Sequence, residues 1–153
     1  MSRTTNLSRP IIEALYDEAL VLADDARAIF ALGTQNPAQG LAANMQLALA
    51  TEGLKTTTRM MHVLAWLLNQ RAFFSGEMSE TQLRHHGTLP PDRVSDPDAL
   101  AVLEPETRDL IAESERLHRR IERLDAAWRD GLDPVSPANA LKRRIERSLG
   151  GSR

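Results

Sequence analysis

Glu115 and His118 stand three residues apart, the spacing at which one helical turn turns a carboxylate and an imidazole toward a shared metal in di-iron bundles. Such a centre needs a second Glu-x-x-His and two further inward carboxylates, and the chain has no second copy of the motif. Helix phase also sets Glu115 off the line through Ser114 and Leu117, so the pair is expected on a solvated charged face. His85 and His86 are adjacent, and neighbouring side chains on a helix diverge, which favours an ordinary connector over a metal pair. Thr56-Thr57-Thr58 gathers three hydroxyls with no base beside them, and helical threonines commonly bond back to their own carbonyls. There is no cysteine, which removes disulfides, thiol catalysis and thiolate metal sites together. These residues predict no catalytic centre, no cofactor and no metal: the chain is expected not to be an enzyme.

The element that must position everything else runs from Asn44 to Phe74. No proline interrupts it, its one glycine is Gly53, and straight-chain helix formers dominate. As a single helix it would be on the order of 45 Å long. Leu47, Ala50, Leu54, Thr57, Met61, Leu64 and Leu68 step by three and four along one face. Leu49, Gly53, Thr56, Met60, Val63 and Leu67 do so along a second. A third, sparser line carries Arg59, His62, Trp66 and Phe73. A helix apolar on several sides is enclosed by others, which predicts a central helix. Its apolar run stops at Arg59 and Asn69, far short of the roughly 20 residues that cross a bilayer.

Two positions on this helix carry an unusual load. Glu52 and Arg59 place charge in a packed region, which is retained only when paired, so both are expected to make buried polar contacts. Gly53 costs ~1 kcal/mol against alanine inside a helix and is expected to admit a close neighbour. For Trp66 and Phe73, with Arg59, His62, Gln70 and Arg71, two roles stay open. Either the 75–103 connector covers them as core, or they line a partner-docking surface, where Trp and Arg are favoured anchors.

Around the central helix the signals are simpler. Residues 1–7 are polar and expected to be loose. Ser8 and Pro10 signal a helix start, Ile12, Leu15, Ala19, Leu22, Ala26 and Ile29 keep a 3-4 rhythm with Phe30 flanking, and Gly33 is the expected stop. Glu13, Asp17, Glu18, Asp24 and Asp25 give that helix an acidic outer face. Ser79-Glu80-Thr81-Gln82 reads as a capping box, and Ser95-Asp96-Pro97-Asp98 as the start of another turn. From Pro105 to Asp130, Thr107, Leu110, Ser114, Leu117, Ile121, Leu124 and Trp128 form a third stripe. Beyond Gly131, Leu141, Ile145 and Leu149 could share one side of a short helix, with Lys142, Arg143, Arg144 and Arg147 on the others; so short a helix is marginal in water. That basic tail is either a soluble end or a tethered partner-binding segment.

The chain of 153 residues with a net charge of −2 fits one domain and gives no reason to expect nucleic acid. Met1-Ser2-Arg3-Thr4 leads into no apolar secretion segment, which predicts a cytoplasmic protein. The expected fold is all-α: an antiparallel three-helix bundle over 8–130 with a long central helix, and a mobile basic tail over 131–153.

Several stretches carry a family resemblance. Ala50-Thr51-Glu52-Gly53-Leu54-Lys55-Thr56-Thr57-Thr58-Arg59-Met60-Met61, then Trp66-Leu67-Leu68-Asn69-Gln70-Arg71-Ala72, resembles the RcdA family, the alphaproteobacterial regulators of CtrA degradation (DUF1465). Tyr16-Asp17-Glu18-Ala19, Gly76-Glu77-Met78-Ser79 and Leu117-His118-Arg119-Arg120-Ile121-Glu122-Arg123-Leu124-Asp125 are similar to it as well. The resemblance spans about 13–129 and does not reach the tail. It implies a non-enzymatic, homodimeric three-helix adaptor in regulated proteolysis. Such an adaptor helps deliver substrates such as the cell-cycle regulator CtrA to the ClpXP protease, with ClpX, CpdR-like and PopA-like proteins as partners and neither nucleic acid nor membrane among them. The candidate contact residues are Arg59, His62, Trp66, Gln70, Arg71 and Phe73, with Leu141, Arg143, Arg144 and Ile145 in the tail. The competing expectations are a helical dimerisation module with no protease link and, behind it, a metal-dependent bundle enzyme.

Overall fold

A computed structural model describes residues 3–35, 42–132, 141 and 144–148. The protein is all-α, with no strand among the described residues. Three long helices, α1 (Arg3–Gln35), α2 (Ala43–Phe74) and α5 (Pro105–Leu132), share one core, and two short ones, α3 (Glu80–His86) and α4 (Pro97–Ala101), lie between α2 and α5. Residues 144–148 are also helical. Residues 36–41 between α1 and α2, and 133–140, 142–143 and 149–153 of the tail expected to be mobile, lie outside the described residues.

Local chemistry accounts for most boundaries. α2 ends where Gly76 takes φ +82°, with Glu77 N–H bonding Ala72 O and Gly76 N–H bonding Phe73 O, a Schellman closure. At α3 the capping box is complete: Gln82 N–H donates to Ser79 Oγ and Ser79 N–H to Gln82 Oε1. Asp96 caps α4, and Pro105 opens α5. α1 departs from expectation. It begins at Arg3 rather than Ser8, holds Pro10 inside, and runs through Gly33 to Gln35. As the eighth residue of the helix, Pro10 gives up one backbone hydrogen bond and crowds the carbonyl four residues back, a cost that α1 carries.

Ile12, Leu15, Ala19, Leu22 and Ala26 of α1, and Leu110, Leu117 and Ile121 of α5, are buried as their spacing predicts, whereas Ile29 is half-buried and the flanking Phe30 is buried in its place. Gly53 meets α1 so closely that a Cβ there would lie 2.8 Å from Phe30 Cδ1. Gly53→Ala gains ~1 kcal/mol of helix propensity and incurs ~1–3 kcal/mol of overpacking. A net loss of about 1 kcal/mol is therefore expected, checked by urea unfolding with Phe30→Leu as the relieving second change.

The directions of the helices differ from a simple up-down-up order. Glu13 bonds Arg71 and Phe30 lies against Gly53, so α1 is antiparallel to α2. Arg59 bonds Ser114, Trp66 bonds Asp125 and Phe73 packs edge-on against Trp128, so α5 runs parallel to α2. The reason is the connector, which returns along α2 as far as Glu52 before α5 begins.

α2 itself is not enclosed on every side. Its second and third faces are inward, while Leu47, Leu54, Met61 and Leu68 of the first are 66%, 68%, 64% and 48% exposed. Two companions and the connector cover its second and third faces, and the face opposite the core stays open.

Candidate functional site

Residues 87–96 have no helix or strand to satisfy their backbone, yet Leu89 and Ser95 among them are buried. Buried peptide groups need partners. Here side chains of α2 and α5 supply them in sequence. Asp125 Oδ2 accepts from Leu89 N–H at 3.5 Å, and its Oδ1 accepts from Trp66 Nε1 at 3.0 Å and Arg129 Nε at 3.1 Å. His118 Nε2 lies 3.1 Å from Pro90 O. A carbonyl only accepts, so this nitrogen carries the proton. Arg59 Nε donates to both oxygens of Asp92 at 2.8 and 2.9 Å, Nη2 to Arg93 O, and Nη1 to Ser114 Oγ. Lys55 reaches Val94 O, Ser95 Oγ donates to Glu115, and Glu52 Oε1 accepts from Asp96 N–H.

The connector is thus strapped into the groove between α2 and α5 by a row of polar side chains. Their presence at core positions follows from that task. Glu52 and Arg59 make the paired polar contacts expected of them. Glu115 and His118 do not lie on a solvated face: His118 is fully buried and Glu115 half-buried, because the returning connector covers the flank of α5 that its own stripe leaves open. Thr56 bonds back to Glu52 O, as helical threonines do. No group of three or more His, Asp or Glu side chains suited to a metal occurs among the described residues.

The predicted contact residues do not converge. Arg59, Trp66 and Gln70 are buried, at 1%, 3% and 3% exposure, so in this chain they are core and not an open docking surface. His62, Arg71 and Phe73 are half-buried. Arg71 Nε donates to Glu13 at 3.0 Å, which raises its pKa above the ordinary arginine value, and its guanidinium lies 4.3 Å from the centre of the Tyr16 ring. Phe73 packs edge-on against Trp128. In the tail Leu141, Arg144 and Ile145 are exposed, and Arg143 lies outside the described residues.

The surface that sequence reasoning assigned to the interior is the open one. Leu47, Leu54, Met61 and Leu68 recur every seven residues, with Ala50, Thr57 and Leu64 interleaved, over about 32 Å of helix. Glu52, Lys55 and Arg59 of the same span turn toward the connector, leaving this face without a formal charge. The seven-residue recurrence with uncharged neighbours was the available signal; it does not by itself say which face points out.

Fold and surface together define an all-α protein with a strapped central helix and an open apolar face. The chain belongs to the family described as "Protein of unknown function (DUF1465)", whose model matches residues 3–149. No curated protein and no solved structure matches the chain. No helix among the described residues is long and apolar enough to cross a membrane.

Proposed function

We propose that this protein is a non-enzymatic adaptor that acts in the cytoplasm as a homodimer through protein–protein contacts, built on a three-helix bundle. The observation that carries the dimer is the open α2 face. Leucine-like residues at seven-residue intervals are the pattern of helices that wind about one another, and an uncharged stripe meets its own copy without like-charge repulsion. Burying one such side chain is worth ~1.5–3 kcal/mol, and each copy offers four. The resemblance to the RcdA family supports the finer reading. A dimer would help deliver a CtrA-like regulator to ClpXP, in company with CpdR-like and PopA-like proteins.

Leu54→Glu with Met61→Glu tests this. Both side chains are outward, so helicity and unfolding midpoint should stay at wild-type values. Light scattering should show the dimer lost, and pull-down from a native extract should recover less ClpX and substrate. A wild-type monomer would sink the dimer. A dimer that brings down neither ClpX nor CpdR would favour the dimerisation module, and stoichiometric metal in purified protein would favour the enzyme.

A further inference from the structure

The tail remains without a role, and a second open feature of the surface matches it. Between α1 and α5 runs a groove of about 640 Å³. Val21, Leu22 and Leu117 are its apolar lining, and Asp17, Glu18, Asp25 and Glu113 line it with four carboxylates. Two guanidiniums are present as well, Arg116 and Arg120; Arg120 pairs with Glu18 at 3.7 Å, and outside that pair the groove has three carboxylates to one guanidinium. The balance is acidic over an apolar base, which suits a basic amphipathic helix.

The tail carries the sequence pattern of one. Leu141, Ile145 and Leu149 fall at four-residue intervals, among Lys142, Arg143, Arg144 and Arg147 and a single acid, Glu146. Residues 144–148 are helical, and Leu141 and Ile145 are 57% and 51% exposed, so both stand at the surface. The reach is sufficient. From the end of α5 at Leu132 back to Arg120 is ~18 Å of helix axis, whereas the eight residues 133–140 can span up to about 28 Å. A segment returning antiparallel to α5 would then run past Arg120 toward Glu113. The α2 face is a poorer host: it offers an apolar surface but no carboxylate to four cations.

We propose that the α1–α5 groove is the docking site of the chain's own basic segment 141–149, with Leu141 and Ile145 over Val21 and Leu117 and the cations facing the carboxylates of α1. The contact depends on charge, so added salt weakens it. It uses neither the α2 face nor the dimer and stands or falls apart from them.

The absence of native cysteine makes the test direct. In the full chain, Val21→Cys with Ile145→Cys should close an intramolecular disulfide under mild oxidation, seen by mass spectrometry at monomer mass. Closure should be at least tenfold faster than for Leu54→Cys with Ile145→Cys, and Asp17→Lys with Asp25→Lys should slow it by a similar factor. Val21→Cys with Leu141→Cys samples the neighbouring turn and guards against one unfavourable geometry. Equal rates at Val21 and Leu54, closure only at dimer mass, or indifference to the charge reversal would each overturn the assignment.

Discussion

Arg59→Leu is expected to cost about 3–5 kcal/mol of folding stability, the range for removing one partner of a buried ion pair. The guanidinium is 1% exposed and donates to three acceptor groups on two segments: the Asp92 carboxylate and the Arg93 carbonyl of the connector, and Ser114 on α5. Leucine fills part of the volume but leaves all three acceptors without their donor. Ser114 loses least, since its hydroxyl still donates to Ile111 O. Asp92 is partly exposed and can rehydrate, which argues for the lower end of the range. Arg59→Lys keeps the charge and loses the planar fork, so an intermediate loss is expected. Thermal unfolding should show a fall on the order of 10 °C for leucine. Hydrogen exchange should quicken first at the amides of residues 92–96. A variant within ~0.5 kcal/mol of wild type would mean that the strap is held by something else.

Trp66→Ala is the second large effect, about 3–5 kcal/mol for truncating a buried tryptophan. Trp66 is 3% exposed, and its Nε1–H is one of three donors to the buried carboxylate of Asp125. Trp66→Phe separates packing from hydrogen bonding. It keeps most of the ring volume, and Asp125 retains Arg129 and the Leu89 amide, so a loss of only about 1–2 kcal/mol is expected. Urea unfolding of the two variants measures both quantities. Were Trp66 a surface anchor, the alanine variant would instead unfold as wild type does while losing a partner; its burial predicts the reverse.

What could be read from the chain and what could not follows a physical division. Capping is local: the Ser79–Gln82 box, Asp96 before Pro97 and Pro105 all act within a turn of themselves, and each is where its chemistry predicted, whereas Ser8 and Gly33 do not bound α1. The stripes of α1 and α5 were equally legible, since each of those helices carries one apolar line and one line leaves one choice of inward face. His118 was not, because its burial comes from a connector 28 residues away in sequence.

For α2 the sequence by itself determined a single unbroken helix with three usable faces. Which faces are inside was decided only by the tertiary structure. Leu54 and Leu67 are chemically alike, yet one is 68% exposed and the other fully buried. The difference lies in where other segments run: Gly53 draws α1 onto one side, and the returning connector, fixed by Arg59, His118 and Asp125, occupies another and sets α5 parallel to α2. Hydrophobic burial is non-directional and rewards any apolar face that finds cover. The directional bonds of the polar row select the cover, and so decide which apolar face is left for a partner.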